Sequence, residues 1–225
     1  MKYSTRNILK IILWLIGLFV LSILYTQFPF YKLFPQYPIL FWFWFYGGFL
    51  MLLVASTLLT HEKKWIRGQE GEDEVFNISR YLPKEFIPLS SLILNNRGNV
   101  DEVIVGPTGI WAIEVKSHRG NITFDGNELQ RNGELFERDF LGQAWAERCS
   151  VRDTLKKELG KEFFVQPVIV FSDMYAEVHF GLNPIRGVYV IGADWLNKLI
   201  IESNKQSLND SDIKDVVEVL KPYQE

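Results

Sequence analysis

Cysteine is almost missing from this chain: Cys149 stands alone among 225 residues. A lone thiol forms no internal disulfide, which suits a reducing compartment. The three histidines, His61, His118 and His179, are scattered, so no ligand cluster for a structural zinc ion is present. Acid is also scarce at the start. Residues 1–67 hold seven Lys or Arg against Glu62 alone, a formal +6. Residues 68–225 hold 17 bases against 26 acids, a formal −9, so the overall −3 joins a basic segment to an acidic one. The chain contains no internal repeat and no low-complexity tract.

What the basic segment does contain is long apolar runs. Residues 8–25 read ILKIILWLIGLFVLSILY, and residues 37–59 read YPILFWFWFYGGFLMLLVASTLL without a charge. Crossing a hydrocarbon core of about 30 Å takes roughly 20 helical residues, and each run has that length. The short link TQFPFYKLFPQ is aromatic and Pro-bearing, as a turn at headgroup level would be. A cleaved signal peptide fits less well, because no small-residue cleavage site follows and a second apolar run comes soon after. Lys2, Arg6 and Lys10 precede the first run, and Lys63, Lys64 and Arg67 follow the second. The positive-inside rule then puts both termini in the cytoplasm, making a multi-pass protein with two spans in residues 1–67 and a lipid bilayer as partner.

After Arg67 the texture changes to that of a globular α/β domain. GQEGEDEVFNISRYL predicts a helix opened by glycine and acids. Strands are expected in PLSSLILN, VDEVIVG and GIWAIEVKS, and a hairpin in NITFDGNELQ with RNGELFE. LGQAWAERCSVRDTLKKEL predicts a helix, VQPVIVFSD and VYVIGA predict buried strands, and ADWLNKLIIES and SDIKDVVEVLKPY predict helices. That order implies a mixed central sheet flanked by helices. The expected division is a domain over residues 68–200 with a C-terminal helical extension over residues 201–225.

The stretch DEVIVGPTGIWAIEVKSHRG, residues 101–120, carries the chemistry. A turn at Gly106–Gly109 pairs Val105 with Ile110, Ile104 with Trp111, Val103 with Ala112 and Glu102 with Ile113. Asp101 then faces Glu114, and alternation puts Asp101, Glu114 and Lys116 on one face. Like charges directly opposed about 5 Å apart are destabilising, and a bridging divalent cation removes the repulsion. Magnesium suits such a site, since it takes one or two carboxylates and keeps several waters. A bare Glu-x-Lys is common on solvated strand edges; here it ends an apolar, interior-type run with Asp101 opposite. In the helix before it, Glu72 shares a face with Val75, Phe76 and Ser79, where a metal or a hydrogen-bond partner would explain a buried acid. Its other explanation is a first-turn acid favoured by the helix dipole.

These residues resemble the nuclease-related domain called NERD, a branch of the PD-(D/E)xK nuclease superfamily. The matching pieces are GQEGEDEV, VDEVIVGPTGIWAIEVKSHRG and the helix containing Gln143. The resemblance implies a restriction-endonuclease-like mixed sheet flanked by helices. It also implies Mg2+ (or Mn2+) dependent hydrolysis of a phosphodiester in nucleic acid, DNA or less often RNA. Asp101 and Glu114 would be the metal-binding acids and Lys116 the lysine. Glu72 would match the acid of the first helix, and Gln143 the polar residue of the later one.

The acidic balance runs against a simple nuclease, because grip on phosphates comes from Lys and Arg. Local bases do lie near the motif: Lys116, His118, Arg119, Arg131 and Arg138. The alternative function is a non-catalytic nucleic-acid or protein-binding module on the same fold at the membrane. A third reading gives the function to the two-span hairpin itself. Trp111 and Trp145 could stack on bases, yet their spacing suits the core better.

Overall fold

The computed structural model describes Gly17, Gly47, Gly48, Leu50 and residues 67–94, 99–203 and 208–224. Two compact units, Met1–Glu62 and Lys63–Glu225, divide the chain. The expected membrane spans at residues 8–25 and 37–59 lie outside the described residues but for those four positions. Among the described residues no helix is long and apolar enough to cross a membrane.

The second unit is a mixed α/β fold, its elements falling close to where the apolar spacing put them. Helix α1 covers residues 67–79. Strands β1 (Ile87–Ile93), β2 (Asn99–Gly106) and β3 (Gly109–Lys116) follow, then β4 (Gly120–Phe124), β5 (Leu129–Arg131) and β6 (Glu134–Leu135). Helix α2 (Phe140–Leu159) leads into β7 (Val165–Phe171), β8 (Ala176–Val178) and β9 (Tyr189–Gly192). Helices α3 (Leu196–Glu202) and α4 (Asp210–Leu220) close the domain.

Five strands form the central sheet in the order β1-β2-β3-β7-β9. The first three pair antiparallel, and β7 and β9 are added in parallel. Antiparallel neighbours need only a tight turn, whereas a parallel step needs a crossover, here supplied between β3 and β7 by α2. Both faces are covered. Val151 and Leu155 of α2 and Ile213, Val216 and Leu220 of α4 pack with Val103, Val105, Ile110 and Ala112. On the other face Val75 of α1 and Leu196, Leu199 and Ile200 of α3 pack with Ile104, Trp111, Ile113 and Val115. Covering on both faces is why β3 is buried from Gly109 to Val115 and reads as an apolar run rather than an alternation.

The expectation of one sheet meets a difference. β6-β5-β4-β8 form a separate four-stranded sheet. After Lys116 the chain leaves the central ladder through residues 117–119, and β4 takes β8 as its parallel neighbour. Within this sheet Asn132 (φ 55°) and Gly133 (φ 83°) make the tight turn between β5 and β6. Two successive left-handed positions suit Asn-Gly, whose twist matches a hairpin.

The C-terminal segment closes the turn end of the β2–β3 hairpin. The Leu208 N–H donates to the Pro107 carbonyl at 3.0 Å, and Thr108 Oγ1 donates to the Ile200 carbonyl at 2.7 Å.

Candidate active site

The β2–β3 ladder has the anticipated register from Gly106–Gly109 down to Glu102–Ile113. There it stops. Asp101 and Glu114 do not pair backbone to backbone. Instead Asp101 Oδ2 accepts the Val115 N–H at 2.7 Å, so the side chain takes the place of the next rung. Glu114 meanwhile stays in the parallel ladder opposite Ile169 of β7. One strand pair therefore opens at its end, and the opening is where the charged groups meet.

Helix α2 completes the cluster from above the sheet. Asp139 caps it, accepting the Gly142 N–H at 2.9 Å, and so fixes the first turn that carries Gln143. Lys116 Nζ donates to Glu114 Oε1 and, at 3.2 Å, to Gln143 Oε1. Gln143 Nε2 donates to Glu114 Oε1 at 2.6 Å and to Glu147 Oε1 at 2.9 Å. The ammonium also lies 4.6 Å from the centre of the Phe140 ring, a cation–π contact that shields it on that side. Glu114 Oε2 is buried and has no hydrogen-bond partner.

Helix α1 brings Glu72 from the opposite face of the sheet. It can come close because of Gly71: a Cβ there would sit 2.5 Å from Ser172 Oγ and 3.3 Å from Ser117 Cβ. The Gly-Glu pair is thus a packing device as much as a helix start. Glu72, half-buried, borders a cavity of about 70 Å³ together with Phe76, Ser90, Asp101, Glu102 and Val115.

Four acids in this region hold their protons above the ordinary carboxylate range. Burial, then the charge of Glu114, push Asp101 up to about 8; the Val115 N–H and Lys116 oppose the shift. Burial, then a hydrogen bond and charge from Glu114, push Glu147 up to about 10. Glu72 is raised by burial, then by Glu114 and Asp73, against Lys116. Glu102 rises to about 7 through burial, opposed by its hydrogen bond from Ser79. The charge of Lys116 opposes the shifts of Glu72 and Asp101, and its ammonium pairs with Glu114. Positive charge is in short supply at this end of the sheet.

The five residues singled out in the sequence, Glu72, Asp101, Glu114, Lys116 and Gln143, are linked here by hydrogen bonds or charge interactions. Sequence reasoning missed Glu147. Its signal was available: Phe140, Ala144, Glu147, Val151 and Leu155 form the buried stripe of α2, and an acid on such a stripe has a partner. The flanking bases are partly engaged. Arg119 Nε donates to Asp173 Oδ2 at 2.9 Å and lies over Tyr175. Arg131 lies over Phe136, which meets His118 edge-to-face. Trp111 is buried in the core, and Trp145 Nε1 donates to the Arg186 carbonyl at 3.0 Å.

The donor set fits a hard cation. Among the described residues no three His, Cys, Asp or Glu side chains already converge as metal ligands. Magnesium needs fewer, since one or two carboxylates with waters suffice. Asp101 and Glu114 supply those oxygens, and Glu114 Oε2 is buried with no hydrogen-bond partner among the described residues.

Comparison with known proteins gives this geometry a class. Residues 67–172 match the sequence model of NERD, the nuclease-related domain. The match runs from the start of α1 to Ser172, past the end of β7, and so contains all five residues and Glu147. No curated protein and no solved structure matches the chain.

Proposed function

We propose that the chain is a membrane-anchored, metal-dependent nuclease that hydrolyses phosphodiester bonds, in DNA first and RNA second. The nuclease-related domain at residues 67–172 supports the class. The observation that carries the reaction is the meeting of Asp101, Glu114 and Lys116 where the β2–β3 ladder opens, with Glu114 Oε2 buried and unpartnered.

Asp101 and Glu114 would hold Mg2+ or Mn2+, with Glu72 at its outer contacts. Bound there, the ion supplies charge against a phosphate oxygen and lowers the pKa of a water. Lys116 Nζ, held beside Glu114 and Gln143, would orient the attacking water or offset charge growing on the phosphate oxygens. Water adds to phosphorus as the bond to the leaving sugar oxygen breaks, and the proton the water gives up ends on that oxygen. Gln143 Oε1 keeps the ammonium near the sheet end while Gln143 Nε2 holds Glu114. The apolar runs at 8–25 and 37–59 would hold the domain at the cytoplasmic side of a bilayer, with both termini inside.

The test is incubation of the full chain with single- and double-stranded DNA and RNA, with and without Mg2+. Metal-dependent cleavage that disappears in Glu114→Ala and Lys116→Ala supports the reading. Cleavage that persists in both variants defeats it. Retention of nucleic acid without turnover favours the binding module instead.

A further inference from the structure

We propose that Glu147 is a positioning residue: it fixes the amide of Gln143 so that its oxygen faces Lys116 and its nitrogen faces Glu114. The inference rests on hydrogen-bond geometry. It draws on the proposed nuclease reaction only for one arm of its test.

A glutamine amide has two ends of nearly equal size and opposite character, so its orientation is decided by its partners. At one end Gln143 Oε1 receives Lys116 Nζ at 3.2 Å. At the other, the two N–H bonds of Nε2 go to Glu114 Oε1 at 2.6 Å and Glu147 Oε1 at 2.9 Å. Turning the amide over would set its oxygen against the Glu114 carboxylate and against Glu147, whose proton is held in its hydrogen bond with Glu114, and would set its N–H groups against an ammonium. Glu114 alone is an unreliable holder, because it is also the carboxylate that must serve the reacting group. Glu147 has no such second duty. It sits one helical turn after Gln143 on the same face of α2 and is buried there.

Its location is costly, which sharpens the argument. A buried acid whose partners are an amide and another acid gains little from them, and an apolar side chain of equal size would pack the helix better. Stability therefore does not account for Glu147, whereas orientation of Gln143 does. Outer residues of this kind typically contribute about tenfold or more to activity.

The experiment compares the native full chain with Glu147→Gln and Glu147→Met in detergent micelles. Glutamine is labelled with 15N, and the Gln143 side-chain signals are assigned by their loss in Gln143→Leu. The expected result is slow hydrogen exchange of the Gln143 amide in the native chain and Glu147→Gln, and loss of that protection in Glu147→Met. Glutamine at 147 keeps an oxygen for Gln143 and adds an N–H for Glu114, so it rescues; methionine keeps the volume and offers neither. Magnesium-dependent cleavage should follow the same pattern, with kcat of the Met variant down about tenfold and KM unchanged. Protection retained in Glu147→Met overturns the proposal, as does its loss in Glu147→Gln. Should Glu147→Met fail to fold, Glu147→Gln decides alone. If the native chain cleaves nothing, the nuclease reading fails while the exchange arm still decides this one.

Discussion

The two ends of the β2–β3 hairpin are a few residues apart and could hardly differ more. At the turn end Val105 faces Ile110, Gly106 faces Gly109, and the side chains of Val105 and Ile110 enter one apolar cluster. At the open end the ladder gives out at Glu102, a carboxylate takes the place of a rung, and several acids compete for one lysine. The same backbone thus ends once in satisfied packing and once in unmet charge. The contrast divides two tasks along one hairpin: a buried carboxyl cluster is costly to folding, and the apolar end stabilises the sheet that carries it.

The largest effects should separate the ends by the property they change. Glu114→Ala and Lys116→Ala are expected to lower magnesium-dependent cleavage by about 10³-fold. Circular dichroism of Glu114→Ala should match the native chain, because it removes an acid from a cluster short of positive charge, whereas Lys116→Ala leaves Glu114 without its cation and should unfold at a lower temperature with the same folded spectrum. A collapse of secondary structure in both would mean that the open end holds the fold together, and the contrast would fail.

At the turn end the expectation is reversed. Ile110→Ala deletes a side chain that is 1 % exposed, so it should cost about 2–5 kcal/mol in chemical unfolding. Cleavage by the molecules that remain folded should stay near the native rate. A variant that stays stable but loses cleavage would show the two ends to be coupled.

How much of this could be read before the fold was known follows from the same contrast. Gly-Pro-Thr-Gly between two apolar runs set the register from Gly106–Gly109 to Glu102–Ile113, because the length of a hairpin turn fixes which residues face each other along its strands. The gathering of Asp101, Glu114 and Lys116 followed from it. The rung that Asp101 replaces was hidden, since a side chain standing in for a backbone acceptor leaves no periodic trace. Strand β8 was hidden too: Ala176–Val178 is three residues long, and its pairing with β4 is decided by tertiary packing. Glu147 lay in Ala-Glu-Arg, which reads as a solvated helix face until the spacing from Phe140 to Leu155 is counted.

The next effect is one of pH. Asp101 at about 8 and Glu147 at about 10 bind protons more tightly in the folded chain than an exposed carboxylate does. The folded state then holds more protons than the unfolded one at pH values between the unfolded and folded pKa values. Their stabilising contribution is full below about 4, the unfolded pKa, and is lost as pH rises through 8 for Asp101 and 10 for Glu147. In chelator the melting temperature should fall by at least about 4 °C between pH 6 and pH 9. Mg2+ should recover most of that loss at pH 9, because a bound cation favours the ionised carboxylates. A melting temperature that rises with pH in chelator would mean that these acids are not held protonated by burial.

The smallest effect tests whether the site reaches through the sheet. Glu102 neighbours Asp101 in sequence, but its carboxyl faces α1, where Ser79 donates to Oε1 and Oε2 has no partner. Burial holds it near 7, so its contribution to stability is lost as pH rises through neutrality. Glu102→Gln keeps an acceptor for Ser79 and removes the ionisation. Whatever fixed offset the amide introduces, the variant should gain about 2–4 °C relative to the native chain on going from pH 5 to pH 8.5. Cleavage should stay close to native, since the Glu102 carboxyl bonds Ser79 of α1 and makes no hydrogen bond to Glu114, Lys116 or Gln143. A large loss of cleavage would place Glu102 in the reacting cluster and extend the open end of the hairpin through to the α1 face. A gain in thermal stability confined to alkaline pH, with cleavage intact, would confine the chemistry to the face that α2 covers.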